Sequence, residues 1–528
     1  RSAEGLRDSG LTAAVFYLSV SLSELVLAKS TRDTMWWMVL LLILVALVTI
    51  KLVKLSLFWS SYGIPYEPLP RYLYRIVWQF NTQVVNDVIR DTVARYGSVF
   101  GSYHGLRPSL IVTDMEIAKE VLIKQFNNFF KRNMEFSTGD PLWDNIVLNL
   151  PYNEWKCMRT VMGYTFTTSK MRGMIPKFDK IAKRLVNKLE VSAQSSENVV
   201  VLKSNCRAYS IDSMTAVSFG LDPNSIENPD NAFMKYAGEL SKPGLSVFLF
   251  VVAPKLMKYI PFVDFPPKNV SNFFGSVAKQ SLDEKRQKLE EVIANGTADI
   301  IDLHLIAQRE DAKNTISDEM LASQAFIFLL ASLEGVTITL EFTAYFFAVN
   351  PDVQQKAYDE LTEIMQERTD LTYGDINKLK YLEACLLETL RLAPVITFFD
   401  RICSADTEVH GLKIPKGMTV AFPLAAIHRD PKYFPEPERY MPERFLKGDE
   451  VAEEQDISAF LIFGAGPKVC VGRRLALMNL LTAMANMLLK IRFERAPETP
   501  YPLQAKKGLQ TSNFEKEPLV VRLVPRQT

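Results

Sequence analysis

The segment Phe463-Gly464-Ala465-Gly466-Pro467-Lys468-Val469-Cys470-Val471-Gly472-Arg473-Arg474 sets a cysteine between glycines, just before an apolar stretch with helical spacing. Glycines at 466 and 472 allow positive φ and a close backbone approach to a flat ligand. A thiol at a helix N-terminus with cations nearby is expected to shift toward thiolate. A thiolate presented this way can bind haem iron from one face, and its electron density promotes O–O cleavage. The total of five cysteines is odd and contains no CxxC, which argues against a disulfide framework and against a structural zinc site. Cys157, Cys206, Cys385 and Cys403 read as small buried hydrophobes in a reducing compartment. His104, His304, His410 and His428 stand far apart with no HExxH, which argues against a zinc hydrolase.

Further charged residues recur at short spacings. Glu388-Thr389-Leu390-Arg391 places a carboxylate and a guanidinium one helical turn apart, close enough for an ion pair. Pro442-Glu443-Arg444-Phe445 follows downstream. Upstream lies Trp155-Lys156-Cys157-Met158-Arg159, and Arg401 comes seven residues after Pro394.

Taken in order, these five motifs resemble those of the cytochrome P450 family. Phe463, Gly466, Cys470 and Gly472 match its haem-binding signature, and Lys468 stands where the family usually has arginine. The resemblance covers about residues 60–527. It is nearest the animal microsomal clan of family-3 drug-metabolising enzymes and thromboxane synthase, through His428–Pro437, Phe166-Thr167 and Tyr209-Ser210-Ile211-Asp212. It implies a mainly α fold with small β-sheets and an N-terminal transmembrane helix. It implies haem b held by Cys470, with Trp155, Arg159, Arg401 and Lys468 at the propionates. Lysine there acts as a point charge without the fork of arginine. Glu388, Arg391 and Arg444 would form a buried structural triad. Electrons would come from NADPH through a separate NADPH–cytochrome P450 reductase, with cytochrome b5 as a further candidate partner. Lys156, Lys468, Arg473 and Arg474 could offer the acidic reductase a basic face. The implied reaction is the O2-dependent oxidation of a xenobiotic, steroid or lipid. The implied pocket is Val147, Leu148, Phe326, Leu329, Leu330, Leu333, Val395, Ile396, Phe398 and Leu509, nearly all apolar.

The chain departs from the family on its long central helix. Counting back from Pro351 puts Glu334 at the family's acid position and Gly335 where a threonine usually stands, with Ser332 replacing a glycine. Glycine offers no hydroxyl for proton delivery, and Thr337 faces away by about 200°. Three readings are open: a monooxygenase in which water or a substrate hydroxyl fills the gap, a peroxide isomerase like thromboxane synthase, or a haem-binding protein with weak turnover. The retained Glu334 favours the first.

The rest of the sequence must position these residues. It has 528 residues, 48% hydrophobic and 23% charged, which excludes disordered and collagenous classes. Lys+Arg is 61 and Asp+Glu is 60, so no global field favours nucleic acid. The apolar run Met35–Ile50 ends at Lys51 and Lys54, followed by Gly63-Ile64-Pro65 and Pro68-Leu69-Pro70. Residues 35–57 are expected to form a signal anchor and 58–70 a linker. The basic residues after the span place the catalytic part, 71–528, on the cytosolic side of the endoplasmic reticulum. Residues 1–34 read as an upstream segment or lumenal extension. Helical spacing marks Met174–Ala193, Ser281–Ala294, Asp318–Val349, Pro351–Arg368 and Arg473–Leu489. Strands are expected around His104-Gly105, at Val409–Ile414 and Met418–Phe422, and near Leu519–Val524. The apolar stretch Leu245–Ala253 reads equally as a buried helix or a second membrane contact.

Overall fold

The computed structural model describes residues 32–105, 107–132, 137–195, 198–240, 264–295, 298–310, 316–453, 455–503 and 518–526. Leu245–Ala253 and Leu509 lie outside the described residues. The chain divides into two units, one ending at Ile64 and one starting at Pro65. In the first, helix α1 (Arg32–Phe58) carries the apolar run. Trp37–Ser61 is long and apolar enough to cross a membrane, and Trp37, Leu40, Leu44 and Leu47 are exposed on it. The rings of Phe58, Trp59 and Tyr62 pack together at its end.

The second unit begins inside the stretch expected as linker. Glu67 N–H donates to the Gly101 carbonyl, and Gly101 N–H donates to that of Pro65. Glu67, almost wholly buried, pairs with Arg75 at 2.7 Å and accepts from the Ser102 hydroxyl. Residues 65–70 are therefore tied to the edge of a sheet.

Helix α2 (Tyr152–Thr165) carries Trp155 and Arg159. Helix α3 (Thr168–Ala193) starts six residues before the apolar spacing becomes regular. It is followed by α4 (Leu202–Ser218) and α5 (Lys268–Gln287). The expected helix Ser281–Ala294 is broken at Lys288, where a short helix Leu289–Asn295 takes over. Helix α6 (Ile300–Glu310) precedes α7 (Asp318–Val349), the longest described element of this unit. The Ser317 hydroxyl caps α7 by accepting from Met320 N–H, and Asp318 and Glu319 sit in its positive first turn. Asn350-Pro351 ends it and starts α8 (Pro351–Met365). Helix α9 (Lys380–Leu392) carries Glu388 and Arg391, and α10 (Arg473–Lys490) follows the cysteine loop.

Strands β1 (Val99–His104) and β2 (Arg107–Val112) form the expected hairpin, with Gly105 at φ +57° in the turn. Asp114 then caps the next helix through the N–H groups of Glu116 and Ile117. Strand β3 (Val199–Val201) leads directly into α4. Strand β4 (Phe398–Ile402) carries Arg401. The expected strand Val409–Ile414 is interrupted by a tight turn at His410-Gly411, both at positive φ, which joins β5 (Thr407–Val409) to β6 (Leu412–Ile414). Strand β7 (Thr419–Pro423) completes a four-stranded sheet in the order β1-β2-β7-β4. Strand β8 (Ile491–Glu494) pairs with the terminal β9 (Val520–Pro525), which also pairs with β3.

Helix α7 is apolar on nearly every face, and most of it is buried. Helices α4, α5, α9 and α10 pack around it. The large core runs from Met158 and Phe178 through Phe326 and Phe347 to Leu480 and Leu523.

Candidate functional site

The cysteine loop is held by its own backbone and by residues far away in sequence. Cys470 N–H donates to the Phe463 carbonyl at 2.7 Å, and Val469 N–H to that of Gly466. Gly464 and Gly466 take φ of +71° and +69°. A Cβ at Gly466 would lie 2.1 Å from the Leu122 carbonyl oxygen, so both backbone and space require glycine there. Gly472 differs from expectation. Its φ is −86°, it precedes the first turn of α10, and a Cβ there meets nothing within 4 Å.

Cys470 is exposed, and all five cysteines are free thiols. Burial among surrounding protein atoms pushes the Cys470 thiol pKa up, while the Gly472 N–H and the charges of Arg159, Arg132 and Arg473 pull it down. The net shift is therefore upward rather than the expected depression, because desolvation outweighs the cations and the helix end. The cations remain arranged to favour an anionic sulfur once it has a positive ligand.

Arg159 reaches across from α2 and donates to the Val469 carbonyl at 2.5 Å. Burial lowers its pKa, and Cys470 partly opposes that. Arg132, which the motifs did not signal, donates to the Lys468 carbonyl at 3.4 Å. Lys468 itself is buried, its ammonium 3.7 Å from the Phe130 ring centroid and 5.9 Å from that of Trp155. It is thus withdrawn from the basic surface expected for it. Lys156, Arg473 and Arg474 are exposed. Arg473 lies over the Phe463 ring, and Arg474 donates to the hydroxyls of Thr168 and Tyr373. Trp155 is buried against Phe126 and Phe130. Arg401 is buried on β4 and donates to the Asp400 carbonyl at 2.7 Å.

Behind the loop, Glu388 and Arg391 form a fully buried bidentate pair at 2.7 and 2.8 Å. Arg444 donates to Glu388 at 3.3 Å, and Met441 N–H at 2.9 Å. Arg391 also donates to the carbonyls of His428, Pro437 and Arg439, and Arg444 to that of Glu436. Three charges and five backbone groups are therefore satisfied together, which is what a buried ionic cluster requires.

On α7, Ala331 is exposed and Gly335 partly so, although most of the helix is buried. A Cβ on Gly335 would meet nothing within 4 Å. Ala331 and Gly335 are four residues apart and share a face. Glu334 instead pairs with Arg207 of α4 at 3.0 Å. Thr337 is buried, its hydroxyl donating to the Leu333 carbonyl.

The apolar residues expected to line a pocket divide. Leu148 and Ile396 are exposed, and Leu330, Val395 and Phe398 are partly buried. Val147, Phe326 and Leu329 are packed into the main core, where Phe326 meets Phe274 at 5.8 Å between centroids. Leu333 joins Ile211 and Ala237 in a separate small cluster. These four are buried in packed clusters, and for the three on α7 an almost wholly apolar helix gives no sequence signal of which face is open. A surface cleft of about 610 Å³ beside Arg172, Lys180 and Tyr373 contains none of the expected site residues.

A haem fits these residues. An exposed thiol sits on a glycine-shaped loop before a helix, Arg132, Arg159 and Arg473 bring positive charge to it, and α7 presents a small-residue face with open space at Gly335. No cluster of three or more His, Cys, Asp or Glu that could hold a metal ion forms among the described residues.

Residues 65–518 match the family model for Cytochrome P450. The chain is similar to "Cytochrome P450 3A41" of Mus musculus, 30% identical over 93% of this chain and 96% of that one. It is 31% identical to "Cytochrome P450 3A11" of Mus musculus over the same shares. It is 32% identical to "Cytochrome P450 3A9" of Rattus norvegicus over 82% of this chain and 86% of that one. With its cysteine loop, buried ionic cluster and matched length, the chain belongs to the cytochrome P450 family of haem monooxygenases, in its family-3-type clan.

Proposed function

We propose that this protein is a membrane-anchored monooxygenase of lipophilic substrates. It would catalyse R–H + O2 + NADPH + H+ → R–OH + H2O + NADP+, with electrons delivered by a separate NADPH–cytochrome P450 reductase and cytochrome b5 as a second donor. Haem b, when bound, supplies O2 activation and O–O cleavage. The Cys470 sulfur would hold its iron. Phe463, Gly466 and Gly472 shape the loop that presents the thiolate. Arg159, Arg401, Lys468 and Arg132 would neutralise the propionates, and Trp155 would help to orient them. The exposed or partly buried apolar residues Leu148, Leu330, Val395, Ile396 and Phe398 favour a water-poor substrate space. The Glu334 carboxylate would relay protons, and the space beside Gly335 admits a water or a substrate hydroxyl in place of the usual threonine. Helix α1 is the anchor in the endoplasmic reticulum membrane, with the catalytic unit on the cytosolic side and Lys156, Arg473 and Arg474 as the basic docking face.

The observation that carries the proposal is the exposed Cys470 on its braced loop in a chain of this family. Gly335 favours a second reading, a peroxide isomerase that needs neither O2 nor electrons. A screen of lipophilic substrates with and without NADPH and reductase separates the two. NADPH-dependent hydroxylated product supports the monooxygenase; product from an endoperoxide without NADPH supports the isomerase.

A further inference from the structure

Helix α4 meets the acid-bearing turn of α7 along one stripe. Arg207, Ser210 and Ile211 are spaced i, i+3, i+4 and so lie on one face of α4. The Arg207 guanidinium sits 3.0 Å from Glu334 Oε1. The Ser210 hydroxyl donates to the Ser332 carbonyl at 3.0 Å. Ile211 packs with Leu333. Three successive residues of α7, Ser332, Leu333 and Glu334, are thus engaged by α4. The open face of α7, at Ala331 and Gly335, is a different one: Gly335 is about 100° round the helix from Glu334.

We propose that Arg207 is a positioning residue that latches Glu334 to α4, so that Glu334 exchanges protons with the open face beside Gly335 only when the ion pair opens. The inference rests on the haem-thiolate reading of the protein. Both side chains are partly exposed, at 20% and 24%, so water reaches the pair. A pair of that exposure is worth a factor of about two to five in population. Such a latch slows proton exchange without preventing it, and salt weakens it.

The test uses the ferric holoprotein as wild type, Arg207→Ala, Glu334→Gln, the double variant and the conservative Arg207→Lys. Arg207→Gln replaces Arg207→Ala if the latter folds poorly. The reduced carbon monoxide spectrum is recorded first. A thiolate-type band in every variant keeps the haem reading intact, so that the turnover and stability measurements bear on the latch alone. Reductase-driven NADPH oxidation without substrate should rise about two- to fivefold in Arg207→Ala. Glu334→Gln should lower it modestly in the wild-type background and abolish the gain in the Arg207→Ala background. Arg207→Lys should behave as wild type. Raising the salt to roughly 0.5 M should raise the wild-type rate relative to Arg207→Ala. A thermal-midpoint cycle on the same proteins should show coupling between positions 207 and 334. Equal losses from Glu334→Gln in both backgrounds, a slower Arg207→Ala, or no coupling in the thermal cycle would overturn the proposal.

Discussion

The Lys468 ammonium lies 3.7 Å from the centroid of the Phe130 ring, buried between that ring and Trp155. A cation over an aromatic face in a desolvated site is worth about 1–2 kcal/mol. Phe130→Leu keeps the apolar bulk and removes the face. It should lower holoprotein stability by about 1 kcal/mol in denaturant unfolding and speed haem loss to an acceptor protein. Unchanged stability and haem retention would mean that the ring only fills space.

The Glu388 carboxylate compensates two buried guanidiniums, Arg391 and Arg444. Glu388→Gln leaves both without a counter-charge. A loss of about 3–5 kcal/mol is expected, as for any buried pair broken on one side. The measurement is the yield of folded, haem-loaded protein and its unfolding midpoint. A loss under about 1 kcal/mol would show that the surrounding carbonyls suffice to hold the arginines.

Glycines in and near the site should separate by geometry. Gly466→Ala forces a Cβ to 2.1 Å from a backbone oxygen at positive φ, so it should abolish haem loading. Gly472→Ala meets no atom within 4 Å at negative φ and should load normally. Gly335→Thr likewise has room, should gain about 0.5 kcal/mol from helix propensity, and should raise product formed per NADPH. If coupling falls instead, the missing hydroxyl is not what limits proton delivery.

Acid should destabilise the protein through two buried histidines. Burial holds His304 down to about 4, and burial with the nearby Arg391 and Arg429 charges holds His428 down to about 3. Neither His304 ring nitrogen has a hydrogen-bond partner among the described residues. A histidine with a depressed folded pKa takes up its proton more readily unfolded. Stability is therefore intact above about pH 6.5 and falls as the pH drops toward 4 and then 3. His304 should contribute a loss on the order of 3 kcal/mol by about pH 4. His304→Leu should flatten the pH dependence of the unfolding free energy between about pH 6 and pH 4; an unchanged slope would show that His304 titrates normally.

Much of this was legible locally. Ser317 and Pro351 bound the central helix as their capping chemistry predicts, and the cysteine loop announces itself by residue type and spacing. What stayed hidden depends on which distant surfaces meet. Arg132 touches the loop across 336 positions of sequence, and Arg207 reaches Glu334 across 127. No local pattern signals either contact. Leu333 packs with Ile211, which no pattern in α7 signals because the helix is apolar on nearly every face and packing chooses among them. Lys468 reads as a surface cation until Phe130 is seen to cover it.

The central claim is that Cys470 is the thiolate ligand of a haem iron, and the reduced protein exposed to carbon monoxide tests it most directly. The wild type should give the strongly red-shifted Soret band of a thiolate-ligated haem, and Cys470→Ala should lose it. A wild type without that shift, or a Cys470→Ala variant that keeps it, would contradict the account.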